Sequence, residues 1–316
     1  MSYTTDVKKE LTTISAQKKC CQLAEIAGFL RFAGSVTMGR GGFGIKIQTD
    51  NPAVARLYVQ LIKEYFGAKT SITVLEPKML QKNRQYELRI TTEMNSEAIL
   101  REAGILVVKE GSNIIDQHIS SEITKKRCCK KAILRGAFLG AGSISDPNKS
   151  YHLELSCDSA DVATDIIKII NSFGLKARLI ERRNKQVIYI KDGEQIEDFL
   201  TIIGATSQLF KYQNVRITKG VRNNTNRAIN CVAANTDKTV ATAQKQIADI
   251  KYIESKKSLD YLNPKLRSTA IARLENPDLS LDELKDIINP PISKSGLNHR
   301  LMKLSEIADV IRKEGL

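Results

Sequence analysis

The chain has 316 residues, a length for two or three domains rather than one. Its formal net charge is +14, with 42% hydrophobic and 27% charged residues: enough apolar material for proper cores and an excess of cations that favours a polyanionic partner over an ordinary basic enzyme. No apolar run approaches the roughly 20 residues of a spanning helix, and the start, MSYTTDVKKELTTI, lacks an apolar stretch with a cleavage site, so no membrane partner and no signal peptide are expected.

The six cysteines include two adjacent pairs, Cys20-Cys21 and Cys128-Cys129, and no C-x-x-C. Neighbouring cysteines do not readily bridge each other, and zinc ribbons use a two-residue gap. With His118, His152 and His299 dispersed, the reading is of reduced, mostly buried small hydrophobes in a cytoplasmic protein, with no metal and no cofactor.

An internal repeat organises the first two thirds. Lys18-Lys-Cys-Cys-Gln-Leu-Ala-Glu-Ile-Ala-Gly28 aligns with Lys126-Arg-Cys-Cys-Lys-Lys-Ala-Ile-Leu-Arg-Gly136, and the offset from Lys18 to Lys126, 108 residues, also carries Ala33-Gly34-Ser35 onto Ala141-Gly142-Ser143 and Asp50 onto Asp158. Each copy reads as a helix ending at Gly-Ser, then an alternating strand (Phe43, Ile45 and Ile47 in the first). A long helix follows, entered through Asn51-Pro52 or Asp158-Ser159. Two further strands (70–75 and 86–91; 177–181 and 187–191) and a shorter helix (96–103; 195–203) complete it. The pattern is αββαββα twice, an α+β pseudo-dimer over 1–215, with copies 1–108 and 109–215.

This repeat resembles the LAGLIDADG homing-endonuclease fold, through Ala27-Gly-Phe-Leu-Arg-Phe-Ala33-Gly-Ser35 and Arg135-Gly-Ala-Phe-Leu-Gly-Ala141-Gly-Ser143. The resemblance implies that the two motif helices pack at a pseudo-dyad, where Gly28, Ala33, Gly34, Gly136, Gly140, Ala141 and Gly142 would let the backbones approach; an ordinary helix C-cap at Gly34 and Gly142 is the simpler alternative. The nuclease motif ends in a metal-binding Asp in each half. Here Ala33 and Ala141 stand there, and Arg31 and Leu139 occupy the preceding acidic position. A methyl group cannot coordinate magnesium, so no catalytic residue and no nuclease activity are expected. Gly39-Arg-Gly-Gly-Phe-Gly44 fits G-x-G-x-x-G literally but follows a helix and enters a strand; it reads as a turn, with Arg40 a candidate for a phosphate contact.

The segment 216–238 reads as a basic, Asn-rich linker. Lys211, Arg216, Lys219, Arg222 and Arg227 are candidate phosphate contacts, or equally the cations of a solvated linker. From 239 to 316 the pattern is wholly helical. A helix over 239–254 precedes one begun by Asn263-Pro264, one opened by the capping box Ser280-Leu-Asp-Glu283, and one capped by Ser293 or Ser295, buried through Leu297, Leu301 and Leu304. The last two make a helix-turn-helix over about 279–312. Its recognition helix offers Lys294, Ser295, Asn298, His299, Arg300 and Lys303 to DNA, beside Met302.

Asn226-Arg-Ala-Ile-Asn230 through Lys238-Thr239, Leu262-Asn-Pro-Lys-Leu-Arg267 and Asn289-Pro-Pro-Ile-Ser-Lys-Ser-Gly-Leu-Asn-His-Arg300 resemble signatures of the WhiA family, over nearly the whole chain. The resemblance implies a degenerate LAGLIDADG pair with an all-α helix-turn-helix domain, linked to cell division and chromosome segregation, and to sporulation control in some relatives. The expected protein is a cytoplasmic, nucleoid-associated transcription factor on double-stranded DNA, with the transcription or division machinery as candidate partners. An architectural or adaptor protein of mostly non-specific affinity is the alternative; an active endonuclease would need the missing carboxylates.

Overall fold

The computed structural model describes residues 2–14, 16, 18–39, 41–76 and 84–314. Arg40, the candidate in the glycine-rich turn, lies outside them. Local chemistry sets the ends of many elements. Asn51 accepts hydrogen bonds from the amides of Ala53 and Val54, Ser159 from Val162, Asp192 from Gln195 and Asn263 from Leu266, and Pro52 and Pro264 stand in first turns. Each is a short polar acceptor placed where helix amides lack a partner.

After α1 (Tyr3–Leu11), the first copy runs α2 (Lys19–Ala33), β1 (Gly34–Gly39), β2 (Gly42–Thr49), α3 (Pro52–Phe66), β3 (Ser71–Leu75), β4 (Gln85–Ile90) and α4 (Ser96–Glu102). A hairpin, β5 (Leu106–Lys109) and β6 (Ser112–Ile115), and the single turn α5 (Ser121–Thr124) then lead to the second copy. That copy repeats the order as α6 (Arg127–Ala141), β7 (Gly142–Ile144), β8 (Leu153–Cys157), α7 (Ala160–Asn171), β9 (Arg178–Arg182), β10 (Lys185–Ile190) and α8 (Gly193–Ile203). The two sheets have matching antiparallel orders, β1-β2-β4-β3 and β7-β8-β10-β9. Register decides which face is buried. Ile45 opposite Ile90 and Ile47 opposite Leu88, like Leu153 opposite Ile190 and Leu155 opposite Ile188, are all buried. The alternate positions, Lys46 opposite Arg89 and Glu154 opposite Tyr189, lie on the other face.

Helices α2 and α6 form the closest helix pair of this unit, and glycine makes their approach feasible. A Cβ on Gly28 would overlap the Ile133 carbonyl, one on Gly136 the Glu25 carbonyl, and one on Gly140 would stand 2.8 Å from the Phe32 Cβ. Gly34 and Gly142 do a different job from the one expected at the crossing. Both are extended (φ −98° and −77°), turning each helix directly into β1 or β7, and a Cβ there would strike Leu30 or Phe138 of the same helix.

The segment 216–238, read as a linker, is helical rather than irregular. Residues 206–257 form one helix, α9 (Thr206–Lys257). Its polar side chains do not break it, because Thr218, Thr236, Thr239 and Thr242 each donate to the carbonyl four residues earlier, at 2.7 to 3.0 Å. The start proposed at Thr239 is an interior position.

The chain divides into two units, 1–219 and 220–316. In the second, α10 (Pro264–Glu275), α11 (Leu281–Ile287) and α12 (Lys294–Glu314) pack around Leu266, Ala270, Leu284, Ile288, Leu297, Leu301 and Leu304, with Ile250 and Ile253 from the end of α9. Among the described residues no helix is long and apolar enough to cross a membrane.

Candidate nucleic-acid interface

The C-terminal ends of α2 and α6, where the nuclease motif places its metal ligands, carry no acidic side chain. Ala33 and Ala141 are half-buried and Leu139 is fully buried. Arg31 is locked in place: one terminal nitrogen donates to the Ala27 and Ala103 carbonyls at 3.2 and 3.0 Å, the other to those of Gly104 and His118 at 3.0 Å. Burial lowers its pKa to about 10, and it remains charged at neutral pH. A fixed cation beside two methyl groups does not fit a hard divalent ion, which needs oxygen ligands. The one carboxylate inside this helix pair, Glu25, is 1% exposed and faces Arg135 at 3.2 Å. Burial outweighs that cation and pushes the carboxyl up to about 7.

On the outward face of the first sheet, Lys46 at 2.9 Å and Arg89 at 2.5 Å neutralise Glu87. Hydrogen bonds from Lys46, Gln48 and Arg89 hold that carboxyl at about 2. The second sheet offers Glu154, bonded to His152. These strands present mixed charge rather than a basic track.

The five connector cations separate into two kinds. Arg216 grips Glu197 at 2.5 Å and Glu194 at 3.0 Å on α8. Lys219 donates to the Pro147 carbonyl at 2.7 Å, with its ammonium 5.3 Å from the centre of the Tyr151 ring. These two anchor α9 to the second repeat. Lys211, Arg222 and Arg227 are exposed and form no ion pair among the described residues.

The helix-turn-helix is held from inside by an unusual group. Arg273 is 1% exposed and donates to the Leu279 carbonyl at 2.7 Å, closing the turn between α10 and α11. Ser280 and Glu283 complete their capping box. Of the two serines considered, Ser293 caps α12, accepting from Gly296 at 3.1 Å, which puts Ser295 in the first turn. Leu297, Leu301, Leu304, Ala308 and Ile311 are buried, leaving Ser295, Asn298, His299, Met302 and Lys303 exposed together. Among the described residues, the side chain of Asn298 hydrogen-bonds only to the sulfur of Met302, at 3.8 Å. Two expected contacts are placed differently. Lys294 is exposed but paired with Asp282, and Arg300 is half-buried, 3.5 Å from the Thr269 hydroxyl of α10.

The cysteines require a correction. Cys157 and Cys129 are buried, Cys231 is exposed and the other three are half-buried. The two pairs are not separate: the sulfurs of Cys20, Cys21, Cys128 and Cys129 all lie within 4.8 Å of one another. Burial pushes the Cys21 thiol up to about 11 and Cys129 to about 12, whereas Cys128, bonded by Cys21, is lowered. The repeat itself was the signal for this convergence, since both pairs hold the same two positions of helices that meet at a pseudo-dyad.

Residues 19–106 match the family model of the WhiA N-terminal LAGLIDADG-like domain, 130–222 that of the WhiA LAGLIDADG-like domain, and 225–308 that of the WhiA C-terminal HTH domain. The chain belongs to the WhiA family. It is 43% identical over 310 residues to the "Probable cell division protein WhiA" of Alkaliphilus metalliredigens, covering 98% of each chain. To the protein of the same name from Clostridium novyi it is 40% identical over 318 residues, covering the whole of both. The crystal structure of full-length DUF199/WhiA from Thermatoga maritima is similar at a TM-score of 0.61 and 25% identity, over 98% of each chain. The WhiA architecture, two LAGLIDADG-like domains followed by a helix-turn-helix domain, is thus the one seen here.

Proposed function

We propose that this WhiA-family chain is a sequence-specific double-stranded-DNA-binding regulator of cell division, acting as a transcription factor without nuclease activity. The observation that carries the reading is the surface of α12. Leu297, Leu301, Leu304, Ala308 and Ile311 are buried along one side, while the N-terminal part presents Ser295, Asn298 and His299 in one exposed patch with Met302 and Lys303. A recognition helix meets base edges with its N-terminal residues, and an amide can pair bidentately with adenine. Ser295, Asn298 and His299 are assigned to bases and Lys303 to a phosphate. Lys294 reaches phosphate by exchanging Asp282, and Arg300 supports α12 from its inner side. Lys211, Arg222 and Arg227 supply sequence-independent attraction. Roles in chromosome segregation and sporulation, a nucleoid-associated location in the cytoplasm, and contact with the transcription or division machinery accord with such a regulator.

The test is selection from a random duplex pool with the full chain at near-physiological salt. Enrichment of one recurring motif supports specific regulation. Equal retention of all sequences overturns it in favour of an architectural protein, a reading favoured by the exposed cations of α9 and the net charge of +14.

A further inference from the structure

The geometry points to a single zinc ion bound by Cys20, Cys21, Cys128 and Cys129, clamping together the N-terminal ends of the two motif helices. Four sulfurs within 4.8 Å of one another need little movement to reach a tetrahedral shell, where thiolates about 2.3 Å from zinc stand about 3.8 Å apart. An iron–sulfur cluster carries inorganic sulfides between its irons and spreads its four cysteines more widely. The donor set is purely thiolate, and a tight tetrahedral S4 site suits zinc rather than magnesium, calcium or manganese.

Adjacent cysteines make this site because they need not wrap the ion from one strand. Cys20 and Cys21 are the second and third residues of α2, and Cys128 and Cys129 the second and third of α6. Each helix contributes two neighbouring sulfurs from its first turn, and the pseudo-dyad supplies the opposing pair. Helix closeness and thiol convergence share one cause, the glycines at the crossing.

The electrostatics match a charged complex. Four thiolates and one divalent cation carry a net charge of −2. Both helices begin without a side-chain cap, at Lys18 and Lys126, and neither has an acidic residue in its first turn. Their unpartnered amides face negative charge favourably. Lys18, Lys19, Lys126 and Arg127 are exposed cations at the same ends. Cys20 and Cys129 also line a surface cavity with Glu102, His118 and Lys126, which gives an ion an entry path. The site lies at the opposite end of α2 and α6 from Ala33 and Ala141, so its role is to join the two repeats rather than to cut DNA.

The experiment uses full-length protein, untagged and purified under reducing, oxygen-free conditions from zinc-supplemented cells. Elemental mass spectrometry should find about one zinc per chain. Cobalt(II) added to the metal-free protein should give the thiolate charge-transfer and intense visible bands of a tetrahedral tetrathiolate complex. In Cys21→Ser/Cys128→Ser both signals should fall at least tenfold, while Cys157→Ser and Cys231→Ser keep them. The cobalt titration of the wild-type chain needs no variant to fold. Absence of those bands overturns the proposal, as does iron with sulfide in place of zinc, or full zinc retention in the double variant.

Discussion

Replacing Gly136 with alanine should loosen the centre of the first unit. The added Cβ overlaps the Glu25 carbonyl oxygen and stands 2.9 Å from the Phe29 amide nitrogen and 3.1 Å from the Glu25 carbonyl carbon. All three are backbone atoms of α2, so no rotamer change relieves them. Ordinary contact requires the helix axes to separate by about 1 Å, against carbon separations of roughly 3.5–4.0 Å in well-packed interiors. Overpacking typically costs about 1–3 kcal/mol, and a rigid obstacle places this substitution at the upper end, near 3 kcal/mol. For a unit of 1–219 that is a fall of about 6–12 °C in melting temperature. Gly220→Ala is the control of opposite sign. Gly220 lies inside α9 with nothing within 4 Å of its Cβ position, so alanine should stabilise the helix by roughly 0.5–1 kcal/mol. Differential scanning calorimetry of both variants reads the contrast. A Gly136→Ala protein melting within about 2 °C of wild type would refute the packing argument.

Three further outcomes follow from the same geometry. The Glu25 carboxyl, raised by burial from 4.5 to about 7 despite Arg135, stabilises the fold when protonated; this contribution is complete below about pH 4.5 and lost as pH rises through 7. It amounts to about 3 kcal/mol, and denaturant titrations should show a flatter pH profile over that window for Glu25→Gln; an unchanged profile contradicts the assignment. Arg216→Ala should lower the melting temperature of the first unit with little effect on DNA affinity, whereas Arg222→Ala should leave melting unchanged and reduce the salt slope of binding by about one. Supercoiled plasmid incubated with the protein and magnesium or manganese should stay intact, and nicking that follows the protein through purification would refute the loss of nuclease chemistry.

Much of the fold was legible because duplication leaves its mark in the sequence. The 108-residue offset and the Asn51-Pro52 and Ser159 caps located the long helices, and the alternation around Ile45 and Ile47 located their strands. The hairpin 106–115 was missed: most of its strand residues are exposed, so no buried face imposes a period on the sequence. The middle of α9 was read as a linker for the same reason, since residues 220–242 are exposed on every side. In α12, the apolar stripe from Leu297 to Leu304 revealed which side is buried. It could not reveal that Arg300 leans on Thr269, that Lys294 pairs with Asp282, or that Arg216 and Lys219 are held by the second repeat. Long cationic side chains choose partners that only tertiary structure brings near. The convergence of the cysteine pairs went unseen for another reason: a rule for spacing along one strand says nothing of two helices that bring their sulfurs together.

The role proposed for α12 is to read base edges. Asn298→Ala is the direct test, made after circular dichroism shows the variant folded. Wild type and variant are titrated against the selected duplex and a random duplex at several salt concentrations. A loss of roughly 1–3 kcal/mol on the selected site with little change on random DNA, and an unchanged salt slope, is the result expected of a base-reading amide. Equal losses on both duplexes would contradict it, and would mean that this residue contributes to affinity without reading sequence.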